Sequence, residues 1–305
     1  MSRRSTKRIH VLMNPRSGLG QSLGRIISAF EKEFARDAVE LSYQVSRDIA
    51  DGRAKAGRVL DAGVDTLIVV GGDGMVNTIG TVLIGSDVAL GVVPAGSGNG
   101  FARHFGIPLS LERAVRVLRK ADRKRIDVGV VDEHPFFVTC SMAADAVMVK
   151  YFERSPIRGI VPYLFGAAQT FFDYVPQPVR LTVDNRETLV FEDPMLLTAA
   201  NLTQYGGGAR IAPQACPDDG ALELIVATKR DIPAMLPGLP RLFNGTVAQL
   251  PGLVMRRFQK LDVRRRKPAP IQVDGELINA GASLTVRVRR KALTVLVPRA
   301  GHESG

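Results

Sequence analysis

Apolar and polar positions follow two different rhythms along this chain, and the change falls near residue 127. Before it, Arg8–Met13, Val39–Val45, Thr66–Val70 and Val88–Val93 read as strands. Between them, Leu23, Ile26, Ile27, Phe30 and Phe34 recur at helical spacing, and Asp51–Ala62 and Met75–Ile84 suit helices. Gly100–Phe105 opens a short helix, and Leu111, Ala114, Val115 and Leu118 share one face of another. Strands alternating with helices predict a parallel sheet covered on both faces. After residue 127 short strands dominate: Val128–Val131, Phe136–Cys140, Val179–Val183, Met195–Ala200, Leu222–Val226, Leu261–Val263, Ile271–Val273, Leu284–Val288 and Leu293–Val297. Turn sequences such as DNRE, PDDG and VDGE separate them. Helical inserts are expected near Pro162–Tyr174 and Ile232–Leu250. The pattern predicts an α/β domain with a parallel sheet over residues 1–126 and a mainly antiparallel β domain over 127–305.

Three glycine-rich loops follow predicted parallel strands: NPRSGLGQSLG (Asn14–Gly24), GGDG (Gly71–Gly74) and PAGSGNGFAR (Pro94–Arg103). Ligands of open α/β sheets bind at that carboxyl edge. Glycine lets the backbone and its N–H groups approach a phosphate. One such loop alone reads as a tight turn; three on one edge read as a nucleotide site. The first loop gives GxGxxxG, one residue too long for a dinucleotide fingerprint, and the second strand ends YQVS without the expected acid. No GxxxxGK[ST] occurs, which excludes a P-loop. The acid inside the second loop, Asp73, would repel phosphate unless a metal ion stood between them. Its simpler alternative is a helix cap.

Composition narrows the class. Of 305 residues, 45% are hydrophobic, enough for a proper core. Cys140 and Cys216 make no disulfide framework or metal site, which suggests a reducing compartment. The start MSRRSTKRIHVLMNP lacks a signal-peptide core, and the most apolar segment, Gly159–Phe172, is too short to span a bilayer. A cytoplasmic protein is expected. The net charge of +11 implies an anionic partner: nucleic acid, a negatively charged membrane surface or a phosphorylated substrate. Basic clusters lie at Arg3–Arg8, Arg116–Arg125, Arg264–Lys267 and Arg287–Lys291, each of which also reads as a solvated basic surface. Nucleic acid is disfavoured, because aromatic–basic interleaving and known motifs are absent.

Taken together, these segments resemble the diacylglycerol-kinase-type lipid kinase family, which includes bacterial diacylglycerol-kinase-like enzymes and the sphingosine and ceramide kinases. The match runs almost end to end. NPRSG resembles the family's NPxSG, and VSRDIADGRA resembles the segment carrying a nucleotide-contacting hydroxyl, here Ser46. GGDGMVN (Gly71–Asn77) matches GGDGTxN, and PAGSGNGFARHFGIP matches the P-x-G-T/S-x-N block. RIDVG, YGGGARIAPQACPDDGALEL and VDGE match later blocks in order.

The resemblance implies transfer of the γ-phosphoryl group of ATP, with Mg²⁺, to a lipid hydroxyl, with the nucleotide between the domains and the lipid held by the β domain. Phosphoryl transfer needs phosphate positioning, charge neutralisation and a carboxylate to take the alcohol's proton. Gly71, Gly72, Gly74, Gly96 and Gly98 suit the first need, with Asn14, Ser46, Asn77, Ser97 and Asn99 donating side-chain hydrogen bonds. Asp73 suits the second, as a partner of the catalytic Mg²⁺. By resemblance, the DGE segment supplies the base, which leaves Asp274 and Glu276 both open, with Asp127 in the same acidic network. Asp145 falls where relatives keep an acid near the acceptor head group. Asp219, in PDDG, matches a structural Mg²⁺ ligand of some bacterial members. Two departures stand out: Thr78 replaces a usual Glu, and Gly100 replaces an Asp common in bacterial diacylglycerol-kinase-like members. The acceptor is therefore open between a diacylglycerol-like and a sphingoid-like lipid. A kinase of a soluble metabolite, as in the NAD kinases that share GGDG, and a catalytically silent nucleotide-binding relative are the alternatives. The resemblance also implies peripheral contact with an anionic membrane, and it allows a homodimer.

Overall fold

The computed structural model describes residues 6–14, 22–147 and 173–299. The Pro15–Gly20 part of the first glycine loop and the Gly159–Phe172 segment lie outside the described residues. Contacts divide the chain into two units, one running to Ile126 and resuming at Lys291, the other spanning Asp127–Arg290. The stretch from Lys291 on, expected with the second domain, groups with the first unit because its strand continues the first unit's sheet.

In the first unit, β1 (Lys7–Met13), β2 (Val39–Val45), β3 (Thr66–Gly71) and β4 (Ala89–Pro94) form a parallel sheet in the order β2-β1-β3-β4. The end of β18 (Ser283–Val297) runs parallel beside β4, with Val295 opposite Leu90. β3 and β4 are buried at every position, as a central parallel strand must be when helices cover both faces. The helices α1 (Leu23–Phe34), α2 (Ile49–Asp61), α3 (Asp73–Leu83), α4 (Gly100–His104) and α5 (Leu111–Arg119) follow the predicted periodicity. Ser22 and Asp48 cap α1 and α2 by accepting from Arg25 N and Asp51 N, contacts worth about 1 kcal/mol each.

The second unit is an antiparallel sandwich. One sheet runs β14 (Val254–Phe258), β13 (Leu222–Thr228), β10 (Pro194–Ala200), β7 (Thr139–Ser141), β16 (Ala269–Val273), β17 (Glu276–Ala280). The other pairs the start of β18 with β15 (Lys260–Arg265), then β8 (Val179–Val183) and β9 (Glu187–Phe191). Their inward side chains, among them Cys140, Leu181, Leu197, Leu224, Leu261 and Ile271, make one core. The hairpin of β5 (Asp122–Val131) and β6 (His134–Phe136) sets the Phe136 ring against Gly129, leaving no room there for a Cβ. The Phe136–Cys140 strand of the sequence reading is two strands, β6 and β7. The two predicted final strands are one, Ser283–Val297, which runs on without a turn through Lys291 although that residue takes φ 47°. The Ile232–Leu250 insert is two short helices, Ile232–Met235 and Arg241–Asn244, with 3-10 turns between and after them. Pro233, Pro237 and Pro240 prevent a longer helix.

Candidate active site

In the first unit two of the glycine loops meet. β3 and β4 are neighbours in register, with Gly71 opposite Pro94, so the loops leaving them start side by side. Ala95 N donates to Gly71 O at 2.9 Å. The backbones then touch: a Cβ on Gly96 would lie 2.6 Å from Gly72 Cα, and one on Gly72 would lie 3.0 Å from Gly96 Cα. Only glycine at both positions permits this approach. α3 begins directly after Gly72, with no side-chain cap, so its first-turn N–H groups and dipole face the loops. That is the arrangement in which a backbone holds phosphate.

Asn99 and Asp73 fix the loops. Asn99 sits in the left-handed region at φ 51° and binds the backbone of one residue at both ends: its Oδ1 accepts from Gly96 N at 2.9 Å and its Nδ2 donates to Gly96 O at 2.8 Å. Asp73 crosses to the third loop, where its carboxylate accepts from Gly100 N at 2.8 Å and Phe101 N at 3.0 Å. Burial raises its pKa against these bonds. Asp73 thus caps α4, not the Met75 end of its own helix. Each oxygen keeps a further lone pair, and Mg²⁺ asks a protein for only one or two carboxylates, so Asp73 fits as a ligand. Ser97 is exposed at the loop tip and Asn77 is half-buried on α3. Gly98 O accepts from Arg103 Nε. Gly74 O accepts from the Thr78 hydroxyl at 2.9 Å, so the residue that departs from the family pattern is bonded inside its own helix. Ser46 is buried and donates to Asp48 O at 2.8 Å, while Asn14 N donates to Val70 O.

In the second unit, Asp274 and Glu276 differ sharply. Asp274, at φ 46° in the β16–β17 turn, is 6% exposed. Its carboxylate accepts from Phe137 N, Val138 N and Thr139 N at 2.7, 2.8 and 3.0 Å. Glu276 is exposed at the start of β17. Asp127 is fully buried, and its Oδ2 accepts from Gly220 N at 2.6 Å, which fixes the PDDG turn. Asn201 links the two acids' surroundings by donating to Asp127 O and Phe137 O. Asp219 pairs with Arg257 and accepts from Ala221 N, so a metal there would have to displace the guanidinium.

Asp145 begins a hydroxyl cluster. It accepts from Ala143 N at 3.0 Å and from Thr198 Oγ1 at 2.6 Å. Ser141 Oγ lies 3.3 Å from Thr198 Oγ1 and 3.4 Å from Tyr205 Oη. Burial pushes the Asp145 pKa up to about 6 and the Tyr205 hydroxyl well up. Sequence reading missed Ser141, Thr198, Asn201 and Tyr205, although the run TAANLTQY turns abruptly polar after a buried strand. It also placed Arg265 in a surface cluster. The structure corrects this: Arg265 shares the inward face of β15 with Leu261 and Val263 and is 7% exposed. Its Nη2 donates to the carbonyls of Ala269, Ala280 and Gly281, while Nε and Nη1 are buried without a partner among the described residues.

Comparison with known proteins bears on the family and the fold. Residues 8–131 match the family model described as the diacylglycerol kinase catalytic domain. Residues 139–297, more than half of the chain, match that of the YegS C-terminal NAD kinase beta sandwich-like domain. A diacylglycerol kinase of Mycobacterium tuberculosis is 29% identical over 272 residues, covering 86% of this chain and 87% of its own. One from Staphylococcus saprophyticus is 25% identical over 281 residues, covering 88% and 89%. The crystal structure of a diacylglycerol kinase from Bacillus anthracis superposes with a TM-score of 0.73 at 18% identity, covering 98% of this chain and 99% of that one.

Proposed function

The chain belongs to the diacylglycerol-kinase-type lipid kinase family, and on that premise we propose that it transfers the γ-phosphoryl group of ATP to a hydroxyl of a lipid. The observation that carries this reading is the backbone contact between Gly72 and Gly96, which sets two glycine loops and the α3 N-terminus together. Gly71, Gly74, Gly98, Ser97, Asn77, Asn14 and Ser46 complete the nucleotide set. Asp73 would hold Mg²⁺, which would supply charge neutralisation for the transferring phosphoryl group.

Of the two candidate bases, Glu276 takes the proton of the acceptor hydroxyl. Asp274 is committed to three backbone N–H groups, so protonating it would disrupt the turn that it holds; Glu276 is exposed and can cycle its proton. Asp127 acts indirectly, through Asn201 and the Asp218–Gly220 turn. Asp145, with Thr198, Ser141 and Tyr205, offers both donors and an acceptor, the chemistry that recognises a hydroxylated head group. The protein works on the cytoplasmic side, at a membrane surface. The test is a pair of variants. Glu276→Gln should lower kcat by about 10²–10⁴-fold with its melting temperature kept. Asp274→Asn should lose stability first. The reverse assignment of losses refutes the base. A soluble acceptor is the second reading, favoured by the NAD kinase-like description of the second unit; labelled product confined to the aqueous phase would select it.

A further inference from the structure

Between β13 and β14 the second unit carries an excursion whose two sides are both apolar. Its inner side chains, Met235, Val247 and Leu250, pack with Ala227 into a small core. Its outer ones have no such cover: Leu236 is 55% exposed and Phe243 43%, and Pro233, Ala234, Pro237 and Pro240 are exposed beside them. From Ile232 to Pro240 no residue carries a charge. A surface helical segment ordinarily turns polar residues outward, and a cluster of outward apolar groups marks a contact surface. The three prolines hold these side chains out on a constrained backbone, which lowers the ordering cost of any contact they make.

The excursion itself carries charge of one sign. From Ile232 to Leu261 there is no acid; Arg230 just before the excursion is an exposed cation and Arg241 within it a half-exposed one, while Arg256, Arg257 and Lys260 beyond it pair with Glu187, with Asp219 and Glu223, and with Asp262. The preceding acid, Asp231, is turned to the backbone and hydroxyl of Thr228. A second copy of this chain, itself at +11, would bring cations against cations at this face. An anionic bilayer offers the opposite on both counts: negative head groups over an apolar layer.

We propose that the Ile232–Phe243 excursion is the membrane-contacting surface of the protein, with Leu236 and Phe243 entering the head-group–acyl boundary of an anionic bilayer and Arg241 remaining among the head groups. This deepens the lipid-kinase reading, on which its purpose rests, but the contact itself is measured without catalysis. The chain has no tryptophan, so Leu236→Trp and Phe243→Trp each create a single fluorescent reporter in the full-length protein. With vesicles of phosphatidylcholine containing phosphatidylglycerol, both reporters should shift to the blue and be quenched by brominated acyl chains, less so at high salt. Val190→Trp, an exposed position on β9, should not respond. The Leu236→Asp, Phe243→Asp double variant should sediment with those vesicles about tenfold more weakly or worse. It should phosphorylate a monomerically dispersed short-chain acceptor at the parent's rate. Vesicle binding that leaves both reporters in water would overturn the assignment, as would no vesicle binding at all. Equal response on pure phosphatidylcholine would overturn its anionic character. A blue shift without vesicles that grows with protein concentration would replace the membrane by a second copy. Loss of the kinase reading would show separately, as no labelled lipid, with the fluorescence result untouched.

Discussion

Replacing Gly96 by alanine should separate the two glycine loops. The new Cβ would sit 2.6 Å from Gly72 Cα and 3.1 Å from Asn99 Oδ1, against about 3.5–4.0 Å for a comfortable carbon contact. The loops must therefore part by about 1 Å. Neither side yields easily, because the obstacle is backbone held by the Gly71–Pro94 strand register and the Ala95–Gly71 hydrogen bond. Overpacking of this kind costs about 1–3 kcal/mol, or roughly 2–12 °C of melting temperature for a unit of this size. A displacement near 1 Å at a positioning loop can also cost about a hundredfold in turnover. Gly57→Ala is the internal control. It lies inside α2, a Cβ there meets nothing within 4 Å, and it should stabilise by roughly 0.5–1 kcal/mol. Thermal and urea unfolding, followed by circular dichroism alongside ATP titration, read both. If Gly96→Ala melts with the parent and binds ATP as tightly, the loops do not touch and the reasoning fails.

Other outcomes follow from the same contacts. Asn99→Ala should cost about 2–3 kcal/mol by urea unfolding, because it loses two hydrogen bonds and replaces asparagine, which tolerates the left-handed region, by alanine, which does not, at φ 51°. Asn99→Gly should recover only the backbone part, and equal losses would count against that division. Asp274→Asn should cost about 2–4 kcal/mol, since it weakens three charge-assisted bonds at once. The pKa of Asp145, raised to about 6, means that the folded state keeps a proton which the unfolded state releases. Stability should then fall as pH rises from about 4 to about 6, by about 3 kcal/mol, with the whole cost present above that window. Glu223, raised to about 7 by burial, acts in the same direction. Asp145→Asn should flatten the lower part of this slope, and an unchanged slope would contradict the assignment.

The sequence reading reached the sheet, the helices and the loops of the first unit because their signals are local. TLIVVGG and ALGVVP are uninterrupted apolar runs ending in glycine or proline, as buried parallel strands should be. What it missed depends on partners far along the chain. β9 and β14 are edge strands with mostly exposed or half-exposed residues, so ETLVF and VMRRF carry little periodicity. Asp73 looked like a cap for its own helix, but its partners lie 27 and 28 residues on, brought near only by strand pairing. The choice between Asp274 and Glu276 was invisible, because it turns on three N–H groups more than 130 residues away. Arg265 looked like one cation in a surface run, although the alternation of Leu261 and Val263 already pointed its side chain inward.

The claim at the centre of this account is phosphoryl transfer to lipid. Its most direct test incubates the protein with γ-labelled ATP, Mg²⁺ and a total lipid extract in mixed micelles, with Asp73→Asn and Gly96→Ala in parallel. Label should enter the organic phase with the parent protein and be lost with both variants. ATP binding with no label in any lipid, or label that persists in Asp73→Asn, would contradict it.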